Sequence, residues 1–148
     1  MSAFDVMARP AGLALVGVGV DAVDIPRFRK VLARRPGFAT RYFTEDELAD
    51  CGGTADRTES LAARFAAKEA VMKALGTGLG AFPLTDVEVR RTVGDGMTRN
   101  APFIALHGLA AQVAEAHEAG LFHLSLTHTT EVAIAFVVAE RSSSCAPS

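Results

Sequence analysis

The chain has 148 residues, about half of them apolar, and a formal net charge of −2. That balance suits one globular domain with a real core. It gives no basic surface for nucleic acid and no apolar run near the ~20 residues that span a bilayer, so neither nucleic acid nor membrane is expected as a partner. Cys51 and Cys145 lie far apart in sequence and make neither a zinc site nor a disulfide framework. A reducing cytoplasm is the expected setting.

Residues 1–12 read as a flexible arm without the apolar stretch of a signal peptide. Leu13 to Asp21 then reads as a strand. Val16, Val18 and Val20 share one face; Gly17, Gly19 and Asp21 share the other, where the glycines let something approach the backbone closely. Gly17-x-Gly19 lacks the third glycine of a dinucleotide loop and Pro26 follows soon after, so that reading is rejected. Asp24-Ile25-Pro26 starts a helix, with Asp24 as its cap, that stops before Pro36. Thr44-x-x-Glu47 has capping-box spacing and starts a short helix ended by Cys51-Gly52-Gly53. Residues 52–57 form a polar link.

A central helix follows, from Thr58 as cap to Gly76 in a left-handed C-cap. Its charges form two pairs: Arg64 and Lys68 on one edge, Glu69 and Lys73 on another. So few polar positions remain that at least one pair must lie in or beside a packed region. Glu69 and Lys73 have the spacing of an i,i+4 ion pair. Yet Glu69 shares its side with Ala62, Phe65, Ala66 and Met72. A carboxylate held there needs a cation, a metal or a proton, which makes Glu69 a candidate ligand or base if a second acid reaches it.

Beyond Gly80 the pattern changes. Val87 and Val89 alternate with charged residues, Gly94-Asp95-Gly96 turns the chain, and Pro102–Leu106 returns. Gly108 to Glu118 reads as an amphipathic helix with Leu109, Val113 and Ala116 on one side. His123–His128 and Val132–Ala139 form a hairpin, and residues 141–148 read as a disordered tail. The chain falls into two roughly similar halves of strand, helix and strand. His128 beside the hairpin turn reads, by spacing alone, as an edge histidine.

Three segments together resemble a known family. They are Gly17-Val18-Gly19-Val20-Asp21-Ala22-Val23-Asp24-Ile25, Arg64-Phe65-Ala66-Ala67-Lys68-Glu69-Ala70-Val71-Met72-Lys73-Ala74-Leu75-Gly76-Thr77-Gly78, and Ser125-Leu126-Thr127-His128-Thr129. Phe43-Thr44-x-x-Glu47-Leu48 and Asn100-Ala101-Pro102 agree with it. The sequence resembles the holo-[acyl-carrier-protein] synthases, the small bacterial class of 4′-phosphopantetheinyl transferases, over about residues 14–140.

The resemblance implies an α+β fold, with an antiparallel sheet packed against a long central helix, two pseudo-repeated halves and assembly into a homotrimer with interfacial active sites. The expected reaction moves 4′-phosphopantetheine from coenzyme A to a serine of apo acyl carrier protein, or of a carrier domain in a synthase, within fatty-acid or polyketide biosynthesis. Asp21 and Glu69 match the ligands of Mg2+. Lys73 matches the lysine on the pyrophosphate. Arg64 and His128 match contacts to the 3′-phosphate of coenzyme A. Lys68 either helps bind phosphate or anchors the helix. Catalysis would rest on Glu69, Lys73 and Asp21. The general base is left between Glu69, favoured, and Asp21. Carrier protein would dock on Arg27, Arg29 and Lys30, with Arg34 and Arg35 beyond; a few arginines on a helix otherwise mean a solvated face. Two readings compete: a binding module without chemistry, against which the joint presence of Asp21, Glu69, Lys73 and His128 argues, and a different metal-dependent phosphate enzyme acting on a free nucleotide.

Overall fold

The computed structural model describes residues 12–52, 57–96 and 100–142. All but the ends of the expected arm (1–12), link (52–57) and tail (141–148) therefore lie outside the described residues, as does Cys145. Strand β1 (Leu15–Asp24) runs straight into α1 (Ile25–Arg34). Asp24 serves both, since its Oδ1 accepts the Arg27 N–H at 2.8 Å as the helix cap, with Pro26 in the first turn. A short α2 (Phe38–Tyr42), which the sequence reading did not anticipate, precedes α3 (Glu45–Gly52). The capping box of α3 is formed both ways. The Glu47 N–H donates to Thr44 Oγ1 at 3.2 Å and the Thr44 N–H to Glu47 Oε1 at 3.0 Å.

The central helix α4 spans Arg57–Leu75, so Thr58 lies inside its first turn rather than capping it. Its other end is as expected. Gly76 has φ +69°, its N–H donates to the Lys73 carbonyl, and the Thr77 N–H donates to that of Met72. This is the paired bonding of a Schellman cap. A 3₁₀ turn (Leu84–Asp86) leads into β2 (Val87–Arg91), β3 (Pro102–Leu106), α5 (Gly108–Ala116), β4 (Ala119–His128) and β5 (Val132–Arg141). Asp86 Oδ2 accepts the N–H groups of Leu109 and Ala110 and caps α5 from a distance. The buried residues of α5 are Ala110 and Ala114; of the expected Leu109, Val113 and Ala116, Val113 packs half-buried against the core, while Leu109 and Ala116 are exposed.

Among the described residues all strand pairing is antiparallel: a three-stranded sheet in the order β1-β5-β4 and a separate β2-β3 hairpin. The fold is thus α+β with a long helix on an antiparallel sheet. The expected similar halves are not evident in the element order, since four helices fall between β1 and β2 and a single helix follows.

Helix α4 covers one face of the larger sheet. There Ala133, Ala135, Val137 and Ala139 of β5 are buried with Ala66, Ala67, Ala70, Val71 and Ala74 of α4. The alternate residues face away, and Val18, Val20 and Phe136 remain 53, 54 and 45% exposed. Val16 does not join them as expected. A register shift between Leu15 and Gly17 turns it inward, where it is buried. The glycines of β1 receive α4 itself. A Cβ on Gly17 would lie 2.0 Å from the Ala74 carbonyl oxygen, and one on Gly19 1.9 Å from that of Ala70. Two strand residues advance about 6.7 Å and four helical residues about 6 Å, so strand and helix stay in step.

Candidate active site

The glycine contact sets the site. Two residues beyond Gly19, Asp21 comes opposite the middle of α4, and Asp21 and Glu69 line one groove of about 610 Å³. Lys73 projects toward the same strand. Its Nζ donates to the Val20 carbonyl at 2.9 Å and lies 3.1 Å from Asp21 Oδ1. Lys73 therefore reaches across to β1; the helical ion pair to Glu69 that the spacing allowed is replaced by this one. Burial pushes the Glu69 carboxyl up, the Asp21 charge pushes it further, and Lys73 only partly opposes them. Phe65, one turn earlier, supplies much of the apolar wall. Its ring packs 5.6 Å from that of Phe28, 5.8 Å from Phe38 and 6.0 Å from Tyr42. The short α2 thus furnishes part of the wall.

Two grooves meet at Glu69. The first is bordered by Arg27 and Arg35, beside Asp21 and Phe65. The second, of about 580 Å³, runs past Tyr42, Met72, Phe82 and Leu84. Leu79, 80% exposed, stands between them and lines both. Arg27, Arg29 and Lys30 of α1 are exposed, as are Arg34 and Arg35, so the expected docking helix flanks the carboxylate groove.

The other edge of α4 is the buried one. Lys68 is wholly buried, and its Nζ donates to Glu47 Oε1 at 2.6 Å, the Leu84 carbonyl at 3.0 Å and the Val87 carbonyl at 2.5 Å. Of its two expected roles, this leaves the anchor. All three ammonium protons are engaged and none remains for a phosphate. Burial pushes the Lys68 ammonium down, and Glu47 opposes that shift. Arg64 is also buried. One of its terminal nitrogens donates to Cys51 Sγ at 2.9 Å and the other lies 3.5 Å from Asp50 Oδ2. Among the described residues its Nε has no hydrogen-bond partner. His128, half exposed at the end of β4, has Nδ1 3.3 Å from Glu59 Oε2 and 3.4 Å from the Thr129 carbonyl. Asp21, Glu69 and Lys73 are thus brought together, whereas His128 meets the first turn of α4.

Glu47 and Glu59 were not singled out as working residues. The capping spacing of Glu47 explained it locally, and Glu59 carries no signal until β4 is folded against α4. Among the described residues no cluster of three or more His, Cys, Asp and Glu forms a ready-made metal cage. Two carboxylates lining one groove, one destabilised by the other, are a donor set that fits a hard cation taking its remaining ligands from phosphate and water.

The chain belongs to the 4′-phosphopantetheinyl transferase superfamily, whose sequence profile matches residues 17–137. Among its relatives is the holo-[acyl-carrier-protein] synthase of Frankia alni, 48% identical over 128 residues that cover 86% of this chain and 99% of the relative. That of Koribacter versatilis is 41% identical over 128 residues, covering 85 and 98%. Of solved structures, the Bacillus anthracis holo-(acyl-carrier-protein) synthase in complex with CoA (3′,5′-ADP) matches with a TM-score of 0.69 and 36% identity, covering 86% of this chain and 98% of that one. The Neisseria meningitidis holo-[acyl-carrier-protein] synthase matches with a TM-score of 0.76 and 29% identity, covering 86 and 99%. Among the described residues no helix is long and apolar enough to cross a membrane.

Proposed function

We propose that the chain is a holo-[acyl-carrier-protein] synthase, which moves 4′-phosphopantetheine from coenzyme A to a serine of apo acyl carrier protein. The observation that carries this reading is the convergence of Asp21, Glu69 and Lys73 at one groove beside a basic helix. The serine hydroxyl attacks the β-phosphorus of coenzyme A. A new P–O bond forms, the pyrophosphate bridge breaks, and adenosine 3′,5′-bisphosphate leaves. Glu69 takes the serine proton, with Asp21 as the alternative base. Lys73 turns from Asp21 to the pyrophosphate and stabilises the charge on the departing oxygen. Magnesium, held by Asp21 and Glu69, would neutralise charge on the phosphates when bound. Arg64 and His128 would contact the 3′-phosphate; His128 is half exposed, while the buried Arg64 would have to leave Cys51 and Asp50 to do so.

Arg27, Arg29 and Lys30 would guide an acidic carrier to the groove. The bare sheet face carrying Val18, Val20 and Phe136 supports assembly into a homotrimer. In such an assembly the His128 end of β4 in one subunit would complete the carboxylate groove of another. The partner is a free carrier protein or a synthase's carrier domain, in fatty-acid or polyketide biosynthesis, and the setting is the cytoplasm. The decisive experiment is incubation with coenzyme A, magnesium and apo carrier protein, followed by mass spectrometry of the carrier. The expected result is a gain of one phosphopantetheine that disappears with a chelator. A stable complex with no mass gain would leave a binding module only.

A further inference from the structure

Lys68 immediately precedes Glu69, and nothing in the proposed reaction uses it. Its ammonium joins α4 to three other elements: α3 through Glu47 Oε1, the 3₁₀ turn through Leu84, and β2 through Val87. Both oxygens of Glu47 are engaged. Its Oε1 also accepts the Thr44 N–H at 3.0 Å, and its Oε2 accepts the Val89 N–H at 3.1 Å. Both side chains are wholly buried. A buried ion pair is a weak source of stability, because a well-packed apolar pair of similar volume often serves as well or better. Direction is what the apolar pair lacks. The contact of α4 with Gly17 and Gly19 limits how closely helix and strand approach, but it carries no side chain that resists rotation of the helix about its axis. A turn of about 20° would move a carboxylate about 5–6 Å from that axis by about 2 Å. A misplacement of about 1 Å at a reacting centre can lower turnover on the order of 100-fold.

We infer that Glu47, acting through Lys68, is a positioning residue for the transfer reaction: it sets the angle at which α4 presents Glu69 and Lys73. The same ammonium holds the Leu84 carbonyl, and Leu84 lines the second groove at Glu69. Helix angle and groove wall are therefore fixed by one group. This role rests on the proposed function, because it assigns Glu69 to the reaction.

Two variants test it, Glu47→Gln and the double variant Glu47→Leu with Lys68→Met. Melting, steady-state kinetics and amide hydrogen exchange along residues 66–73 are measured for each. Glu47→Gln is expected to lower kcat at least about 10-fold while KM for coenzyme A stays within about twofold. The double variant removes the unpaired buried charge. It is expected to melt near the wild-type temperature, yet to keep a kcat at least about 10-fold low and to exchange the α4 amides faster. A double variant with wild-type melting and kcat within about twofold of wild type overturns the inference. So does wild-type exchange along α4 in the double variant, a result readable even if the wild-type protein transfers nothing. Absence of transfer by wild type would instead sink the proposed function.

Discussion

Glu69 is held where its charge is unwelcome. Burial raises its carboxyl above the usual glutamate value of 4.5, Asp21 raises it further, and Lys73 offsets only part. A carboxyl whose folded value is raised stabilises the fold only while protonated. That contribution is full below the ordinary glutamate range and is lost as pH rises through the folded value. In metal-free buffer, Glu69→Gln should therefore melt higher than wild type at about pH 7.5, by no more than a few degrees, because the site is partly open. At about pH 4 the two should converge. Transfer should be abolished in the same variant. Melting curves at both pH values decide the matter. A wild type that melts higher at the neutral pH would mean that the carboxylate is not strained.

At the scale of elements, the strand–helix contact is the tightest constraint. A Cβ on Gly19 would meet the Ala70 carbonyl oxygen at 1.9 Å and the Ala74 nitrogen at 2.8 Å, and neither backbone group can swing aside. Gly19→Ala should destabilise by about 2 kcal/mol or more, on the order of 5–10 °C in melting temperature. It should also depress transfer in whatever protein remains folded. Gly37→Ala, with nothing within 4 Å of the added carbon, is the control and should melt like wild type. A harmless Gly19→Ala would mean that α4 does not lean on β1. Elements specified by neighbouring residues were legible in sequence: the Asp24 cap, the Thr44–Glu47 box and the Gly76 C-cap all close within a few residues. The likeness of the three motifs pointed to Asp21, Glu69 and Lys73 as one site. What could not be read depends on partners distant in the chain. The glycines implied a close approach but not by which backbone. The buried edge of α4 is set by α3, the 3₁₀ turn and β2, through partners 16 to 21 residues from Lys68 in sequence. Helix α2 is too short for its periodicity to register, and Val16 was misplaced by a bulge that no local pattern announces.

At the scale of the molecule, the uncovered sheet face is the unfinished surface. Val18 pairs with Val138 and Val20 with Phe136, so the apolar side chains of β1 and β5 stand together. A patch of this kind is expected to be covered in solution. Phe136→Asp should convert a trimer to monomer by sedimentation, and transfer should fall with it if the site is shared between subunits. A Phe136→Asp protein that sediments as wild type would show that assembly, if any, uses another face. The contact on the opposite side of β1 has a different consequence. Where α4 meets Gly17 and Gly19 there are no rotamers to change, so the separation of strand and helix is gauged by two main chains, as a calliper's opening is set by its frame, while the angle at which the helix presents Glu69 is left to Lys68 and Glu47. Repacking elsewhere in the core, at Leu75 or Val137, should alter how firmly the protein holds together while that separation stays the same. Robustness of the fold and the gap between strand and helix are thereby separate quantities, free to be tuned one at a time.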